Sequence, residues 1–175
     1  IRVMPVVPTV RHALRLEAEG ADVIIASGAE AGGHVGTVAS LPLIPLVVDA
    51  VKVPVVAAGG IGDGRGFVAA LALGACGVQM GTVFLATGEA DTNALQRQKL
   101  IEVTEEDTIV TPVFTGKPVR VLRSPGVEEY ERLRKAGTPS EQLKVMAQEL
   151  QRKRELADDP SELAVTAGQI AGIIK

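Results

Sequence analysis

The chain has 175 residues, 18 Lys and Arg against 21 Asp and Glu for a formal net charge of −3, and is 46% hydrophobic but only 2% aromatic. So small a charge excess and so few aromatic side chains argue against phosphate-backbone binding and base stacking, while one Cys and two His exclude an internal disulfide framework and an all-cysteine or histidine-rich metal centre. No apolar run approaches the ~18 residues of a membrane span and no signal-peptide pattern is visible, so the expectation is a soluble, cytoplasmic protein with no nucleic-acid, membrane or metal partner.

In chain order, Val3–Val7 is a β-branched apolar run that reads as a strand. Thr9 is a candidate N-cap for a helix over Val10–Glu19, which Gly20 stops. Val23–Ala26 is a continuous apolar run of the kind covered on both faces in a parallel sheet. A glycine-rich loop, Ser27–Ser40, leads to a helix over Leu41–Val51 with Pro42 in its first turn. Pro54–Ala58 is the next strand, Gly64–Leu73 the next helix, and Val78–Met80 a further strand ending at Gly81-Thr82. Strand–loop–helix repeated in this way predicts a parallel sheet with crossover helices.

Beyond residue 88 the pattern changes. Glu89–Glu102 reads as a helix and Thr104–Pro125 as irregular or β-rich. Val127–Lys135 and Ser140–Leu156 are charged helices whose charges read as solvated faces, and Ser161–Ile174 is a last helix with Leu163, Ala167, Ile170, Ala171 and Ile174 on one face.

Three segments directly after predicted strands carry the chemistry. The first, Gly28 to Gly36, contains Gly32, Gly33 and His34 and leaves the imidazole exposed on a mobile rim at the mouth of the sheet. The second, Ala58 to Gly66, runs from a strand into a helix, so its N–H groups and the helix N-terminus suit an anion such as phosphate. The third, Gln79-Met80-Gly81-Thr82, offers two adjacent N–H groups and one hydroxyl to the same anion. Ligand sites of parallel α/β folds lie at this end of the strands. The Gly62-x-Gly64-x-Gly66 spacing lacks the acidic partner of the Rossmann fingerprint. His12 reads as a helix-face residue, and Cys76 as a small buried one at a helix–strand junction.

These motifs taken together resemble the nitronate monooxygenase family, formerly 2-nitropropane dioxygenase, which includes the FMN-dependent enoyl-ACP reductases. The resemblance rests on Gly20-Ala21-Asp22, then Glu30-Ala31-Gly32-Gly33-His34-Val35-Gly36, then Pro54 to Ile61 with Asp63-Gly64-Arg65-Gly66, and then Val78 to Thr82. Phe114 to Arg120 and Ala167 to Gly172 resemble its C-terminal part. It implies a (β/α)8 TIM barrel of which this chain is the C-terminal half, strands five to eight, plus C-terminal helices. Residues 1–88 would carry the FMN phosphate site, and 89–175 would be a helical extension packed on the barrel.

The resemblance also implies roles. His34 would be the catalytic acid–base group near the flavin. Gly59, Gly60, Gln79, Met80, Gly81 and Thr82 would contact the FMN phosphate, and Ser27, Gly28, Gly32 and Gly33 would pass close to the cofactor. Gln169 lies in a segment that would fold back towards the site. The family often has Gln where this chain has Ser27, and Arg where it has Val83. The implied reaction is oxidation of an alkyl nitronate with O2 to a carbonyl compound and nitrite. The alternatives are reduction of an enoyl thioester with NAD(P)H, or an inactive FMN- or phosphate-binding fragment. The chain opens on Ile1 within an apolar run, so the expectation is a piece of a longer barrel that forms a homo-oligomer or associates with a missing N-terminal half.

Overall fold

The computed structural model describes residues 1–156 and 165–174. Four short strands form a parallel sheet: β1 (Val6–Val7), β2 (Ile24–Ser27), β4 (Val55–Ala58) and β5 (Gly77–Gln79), side by side in that order. Each step between neighbours passes through a helix: α1 (Val10–Ala18), α2 (Ser40–Ala50) and α3 (Gly64–Ala72). Ile25 pairs with Val56 and Ala26 with Ala57 across the central strands, and Ala57 with Val78 beyond them. The strands read as unbroken apolar runs because helices shield them: Ile24, Ile25, Ala26, Val55, Ala57 and Ala58 are all buried.

Local signals account for the helix ends. Thr9 is extended, and its hydroxyl accepts from the His12 N–H at the start of α1. Asp63 does the same for α3, accepting from the Arg65 and Gly66 N–H groups. α2 has no cap from its own sequence; its first N–H, that of Ser40, instead donates to both oxygens of the Glu30 carboxylate at 3.0 and 2.9 Å. Leu43 and Val47 of α2 meet Val7, Ala13 and Ile24 in the main core. Each fully buried Val, Leu or Ile side chain here contributes about 1.5–3 kcal/mol relative to its exposed state.

The second half builds a separate antiparallel sheet in the order β3-β7-β6, with β6 at Thr108–Thr111 and β7 at Val119–Leu122. Its third strand, β3 (Gly33–His34), comes from the first glycine loop, where Gly33 pairs with Arg120 and His34 with Val119. The expected division at residue 88 is therefore crossed by strand pairing. A four-residue helix α4 (Thr82–Leu85) follows β5, and α5 spans Ala94–Glu102. The start of α5 falls later than the expected Glu89 because Asn93 caps it, its side chain accepting from the Leu95 N–H at 2.8 Å.

α6 (Pro125–Lys135) packs on α7 (Ser140–Leu156) through Tyr130, Leu150 and Met146. Not every charge here is solvated. Glu131 is buried and accepts from the Thr111 hydroxyl at 2.6 Å and from the Arg134 guanidinium. Burial pushes its pKa up, but the Arg134 and Thr111 hydrogen bonds outweigh this and leave it below the usual glutamate value.

The expected last helix is corrected in part. Residues 161–164, with Leu163, lie outside the described residues. From 165 to 168 the chain is non-helical, and only a 3-10 turn follows at Gln169–Ile173. The amphipathic spacing was real, with Ala167, Ile170 and Ala171 buried, but backbone N–H groups here bond to other elements. Among the described residues no helix is long and apolar enough to cross a membrane.

Candidate functional site

A cavity of about 390 Å³ opens at the C-terminal ends of the parallel strands, within the ~300–1,000 Å³ range of small-molecule sites. β2 brings Ser27 to it, β4 brings Ala58 and the following Gly59, Gly60 and Ile61, and β5 brings Gln79 with Met80, Gly81 and Thr82. Glu30, Ala31, Gly32 and His34 enter from the first glycine loop, Val6 from β1 and Leu85 from α4. The C-terminal segment supplies Thr166, Gly168 and Ile170.

Most residues expected at a site thus converge on one space. Gly28 and Gly33 do not line it. Gly28 is buried beneath the loop, where an added Cβ would stand 2.0 Å from the Ser40 hydroxyl oxygen and 2.4 Å from the Ser40 nitrogen. Gly33 faces β7. Gly32 lines the cavity, yet its lack of a side chain has another cause as well: a Cβ would lie 2.7 Å from the Ala167 carbonyl carbon and the Gly168 nitrogen.

The anion-binding surface differs in detail from the expected one. The N-terminus of α3 is already occupied by the Asp63 carboxylate, which also accepts from the Arg65 side chain at 2.8 and 2.6 Å. The Arg65 and Gly66 hydrogen bonds hold the Asp63 pKa below the usual aspartate value. The cavity takes only Gly59, Gly60 and Ile61 from this loop. Gly59 and Gly60 have φ of +85° and +74°, a conformation that L side chains rarely adopt. The N–H groups of Gly60, Gly81 and Thr82 have no hydrogen-bond partner among the described residues, and no atom lies within 4 Å of a Cβ built on Gly81. The Thr82 hydroxyl is buried and accepts from the Gly168 N–H at 2.9 Å, so only its own proton remains to be donated.

The first loop is held by distant parts of the chain. The Glu30 carboxylate is engaged by the Ser40 N–H, and the single Ser40 hydroxyl proton is shared between that carboxylate at 3.0 Å and the closer Gly59 carbonyl at 2.8 Å. Arg120 is 9% exposed; its Nε and Nη2 donate to the Ala29 carbonyl at 3.1 and 2.9 Å, and Nη1 donates to the Thr108 hydroxyl at 2.8 Å. Burial lowers the Arg120 pKa from the ordinary guanidinium value, and the charge of Glu30 partly offsets this. Among the described residues lining the cavity there is no Lys or Arg, so an anion there would be held by neutral N–H groups.

His34 is exposed, and its position at the mouth of the sheet is tied down by pairing. Its backbone is in β3, and its Nε2 lies 3.0 Å from the Thr115 hydroxyl. Gln169 is exposed and lies away from the cavity, which takes its neighbours Gly168 and Ile170; its backbone N–H donates to the Glu30 carbonyl at 2.9 Å. Cys76 is exposed, contrary to the expected buried position, because the helix–strand junction lies at the surface. His12 stays on the α1 face, its Nδ1 2.7 Å from the Thr9 hydroxyl. Arg120, Ser40 and Thr115 were not expected to serve the site. Local sequence gave no signal for the partners of Ser40 or Arg120, which lie ten and ninety-one residues away. Thr115 and Arg120 both lie in the Phe114–Arg120 segment that the resemblance already included.

Parallel strands with a cavity at their carboxyl ends define an α/β protein whose unpaired glycine N–H groups face that cavity. The sequence comparison then identifies the family. The nitronate monooxygenase family model matches residues 1–175, and the chain belongs to that family. A Bacillus subtilis protein named "probable nitronate monooxygenase" is 37% identical over 170 residues, covering 92% of this chain and 49% of the relative. Among solved structures, FabK from Thermotoga maritima matches with a TM-score of 0.86 at 38% identity, over 99% of this chain and 55% of that one. Nitroalkane oxidase from Streptomyces ansochromogenes matches with a TM-score of 0.81 at 33% identity, over 99% and 53%. The chain thus spans about half the length of these relatives.

Proposed function

We propose that this chain forms the phosphate-facing part of an FMN-dependent oxidoreductase that oxidises alkyl nitronates with O2 to a carbonyl compound and nitrite. On this reading the parallel sheet is the C-terminal half of a (β/α)8 barrel, strands five to eight. The observation that carries the proposal is that His34 and the unpaired N–H groups of Gly60, Gly81 and Thr82 line one cavity.

That donor set fits a phosphate: backbone N–H groups with no internal partner, with open space at Gly81, and with the one lining carboxylate, that of Glu30, already engaged by the Ser40 N–H. FMN, when bound, supplies the electron-accepting and oxygen-reducing chemistry that side chains lack. The protein does the rest. Gly60, Gly81 and Thr82 hold the phosphate, Met80, Leu85 and Ile170 give the cavity apolar walls, and His34 takes or returns a proton at a ring nitrogen. The small substrate and O2 enter from the open side of the cavity.

The purified chain should acquire a flavin absorption spectrum when FMN is added. His34→Ala should retain the flavin and lose about 10²- to 10⁴-fold in nitrite release, the usual worth of a positioned acid–base group. Failure to bind FMN, or full activity without His34, overturns the reading. NADH consumption with a crotonyl thioester, and no nitrite from a nitronate, would assign the site to enoyl reduction instead.

A further inference from the structure

We propose that Thr115 is a positioning residue for His34, and that it holds the imidazole with its proton on Nε2 and its lone pair on Nδ1. The part of this inference that concerns proton transfer rests on the function proposed above; the part that concerns the ring does not.

The argument is a count of donors and acceptors. A threonine hydroxyl has one proton to give and two lone pairs to receive. Thr115 Oγ1 has three neighbours: the Lys117 N–H, which donates to it at 3.3 Å, the Lys117 carbonyl, to which it donates at 3.3 Å, and His34 Nε2 at 3.0 Å. The backbone fixes two of these roles, because an amide only donates and a carbonyl only accepts. All three contacts are hydrogen bonds at once only if the single hydroxyl proton goes to the Lys117 carbonyl and Nε2 carries a proton; the alternative, the hydroxyl donating to a bare Nε2, leaves the Lys117 carbonyl contact unmade. The 3.0 Å separation matches an ordinary N–H···O bond. Nδ1 has no partner among the described residues and is left as the basic nitrogen.

The backbone reinforces this arrangement. His34 pairs with Val119 and the Val35 N–H donates to the Pro118 carbonyl at 3.1 Å, so the turn that carries Thr115 is fixed against the strand that carries His34. Thr115 is exposed and belongs to none of the buried clusters, so removing its hydroxyl leaves the core intact.

The test uses the full chain labelled with ¹⁵N, in which His12→Gln identifies the His34 signals, since the chain has two histidines. At a pH where the ring is neutral, the expected spectrum shows a ring proton bonded to Nε2 and slowed in its exchange with water, with or without added FMN. Thr115→Val should abolish that protection and Thr115→Ser restore it, while the backbone amide spectrum elsewhere stays folded. In nitrite release, Thr115→Val should lower kcat about 10- to 100-fold, the scale of a misoriented catalytic group, with KM little changed. A ring proton on Nδ1, or protection unaltered in Thr115→Val, overturns the inference. If the ring behaves as expected but His34→Ala keeps full activity, the proposed function fails and the role of Thr115 in holding the ring stands.

Discussion

The loop after β2 and the loop after β4 look alike as sequence, since both leave a parallel strand and both are rich in glycine. They are built on different principles. The first is clamped from outside by Arg120 on the Ala29 carbonyl, Gln169 on the Glu30 carbonyl, Ser40 on the Glu30 carboxylate and β7 on Gly33 and His34. Its glycines at 28 and 32 exist largely because other atoms fill the space a side chain would need. The second is organised locally. Asp63 caps its own helix, and Gly59 and Gly60 serve through a left-handed backbone. Gly28 and Gly32 answer to packing and Gly60 to backbone conformation, while Gly33 in the first loop is also left-handed and Gly59 in the second also faces the Gly28 backbone, so the same substitution has different consequences at Gly28 and at Gly60.

The sharpest test of that difference is Gly28→Ala. Backbone atoms of Ser40 stand at 2.4 and 2.6 Å from the added carbon and cannot yield without displacing α2. The loss should exceed about 3 kcal/mol, beyond ordinary overpacking, and calorimetry should show the main transition lowered or gone. Arg120→Met comes next. It strands the Ala29 carbonyl and the Thr108 hydroxyl, with an expected loss of about 2–3 kcal/mol for hydrogen bonds from a charged donor, read in urea unfolding. Loosening the first loop in this way should also free the His34 ring. Gly60→Ala should cost less, about 1–2 kcal/mol for a left-handed L residue, because its new carbon meets the Glu30 side chain at 3.3 Å and no backbone. Its larger effect should be on FMN affinity, measured by fluorescence titration. Equal losses at Gly28 and Gly60 would break the contrast.

The same contrast explains what the sequence made visible. β2 and β4 were legible because their apolar runs are bounded by glycine, and Thr9 marked the start of α1 because a cap is a local device. The cavity-lining stretches 59–60 and 79–82 were legible for the same reason. β3 was not. A two-residue strand at Gly33–His34 exists only because β7, more than eighty residues away, pairs with it. Arg120 as the clamp on Ala29, ninety-one residues away, is equally non-local, while Ser40 reaches Glu30 over ten residues, a contact that no local pattern marks. The capping role of Asp63 could have been read, since an Asp just before a helical run is a standard cap. Assigning that helix end to a ligand overlooked the carboxylate already suited to it. Thr104–Pro125 gave no clear period because β6 and β7 are four residues each and separated by turn-formers.

The smallest expected effect lies in the second loop and probes its self-sufficiency. The Asp63 carboxylate is held below its ordinary pKa by hydrogen bonds from Arg65 and Gly66. A depressed carboxylate stabilises the fold fully above its unfolded value, about 3.9 for aspartate, and that contribution fades as pH falls through the lower folded value. The cap should therefore be intact at pH 5 and weaken progressively below about pH 4. Hydrogen exchange at the Arg65 and Gly66 amides should accelerate in that window beyond the intrinsic pH dependence, and Asp63→Ala should show the faster exchange at every pH. Because the cap contacts only its own helix, the amides of Gly33 and Val35 in the first loop should not respond. A response there would mean that the two loops are coupled through the cavity they share, and the division between an externally clamped loop and a locally capped one would have to be given up.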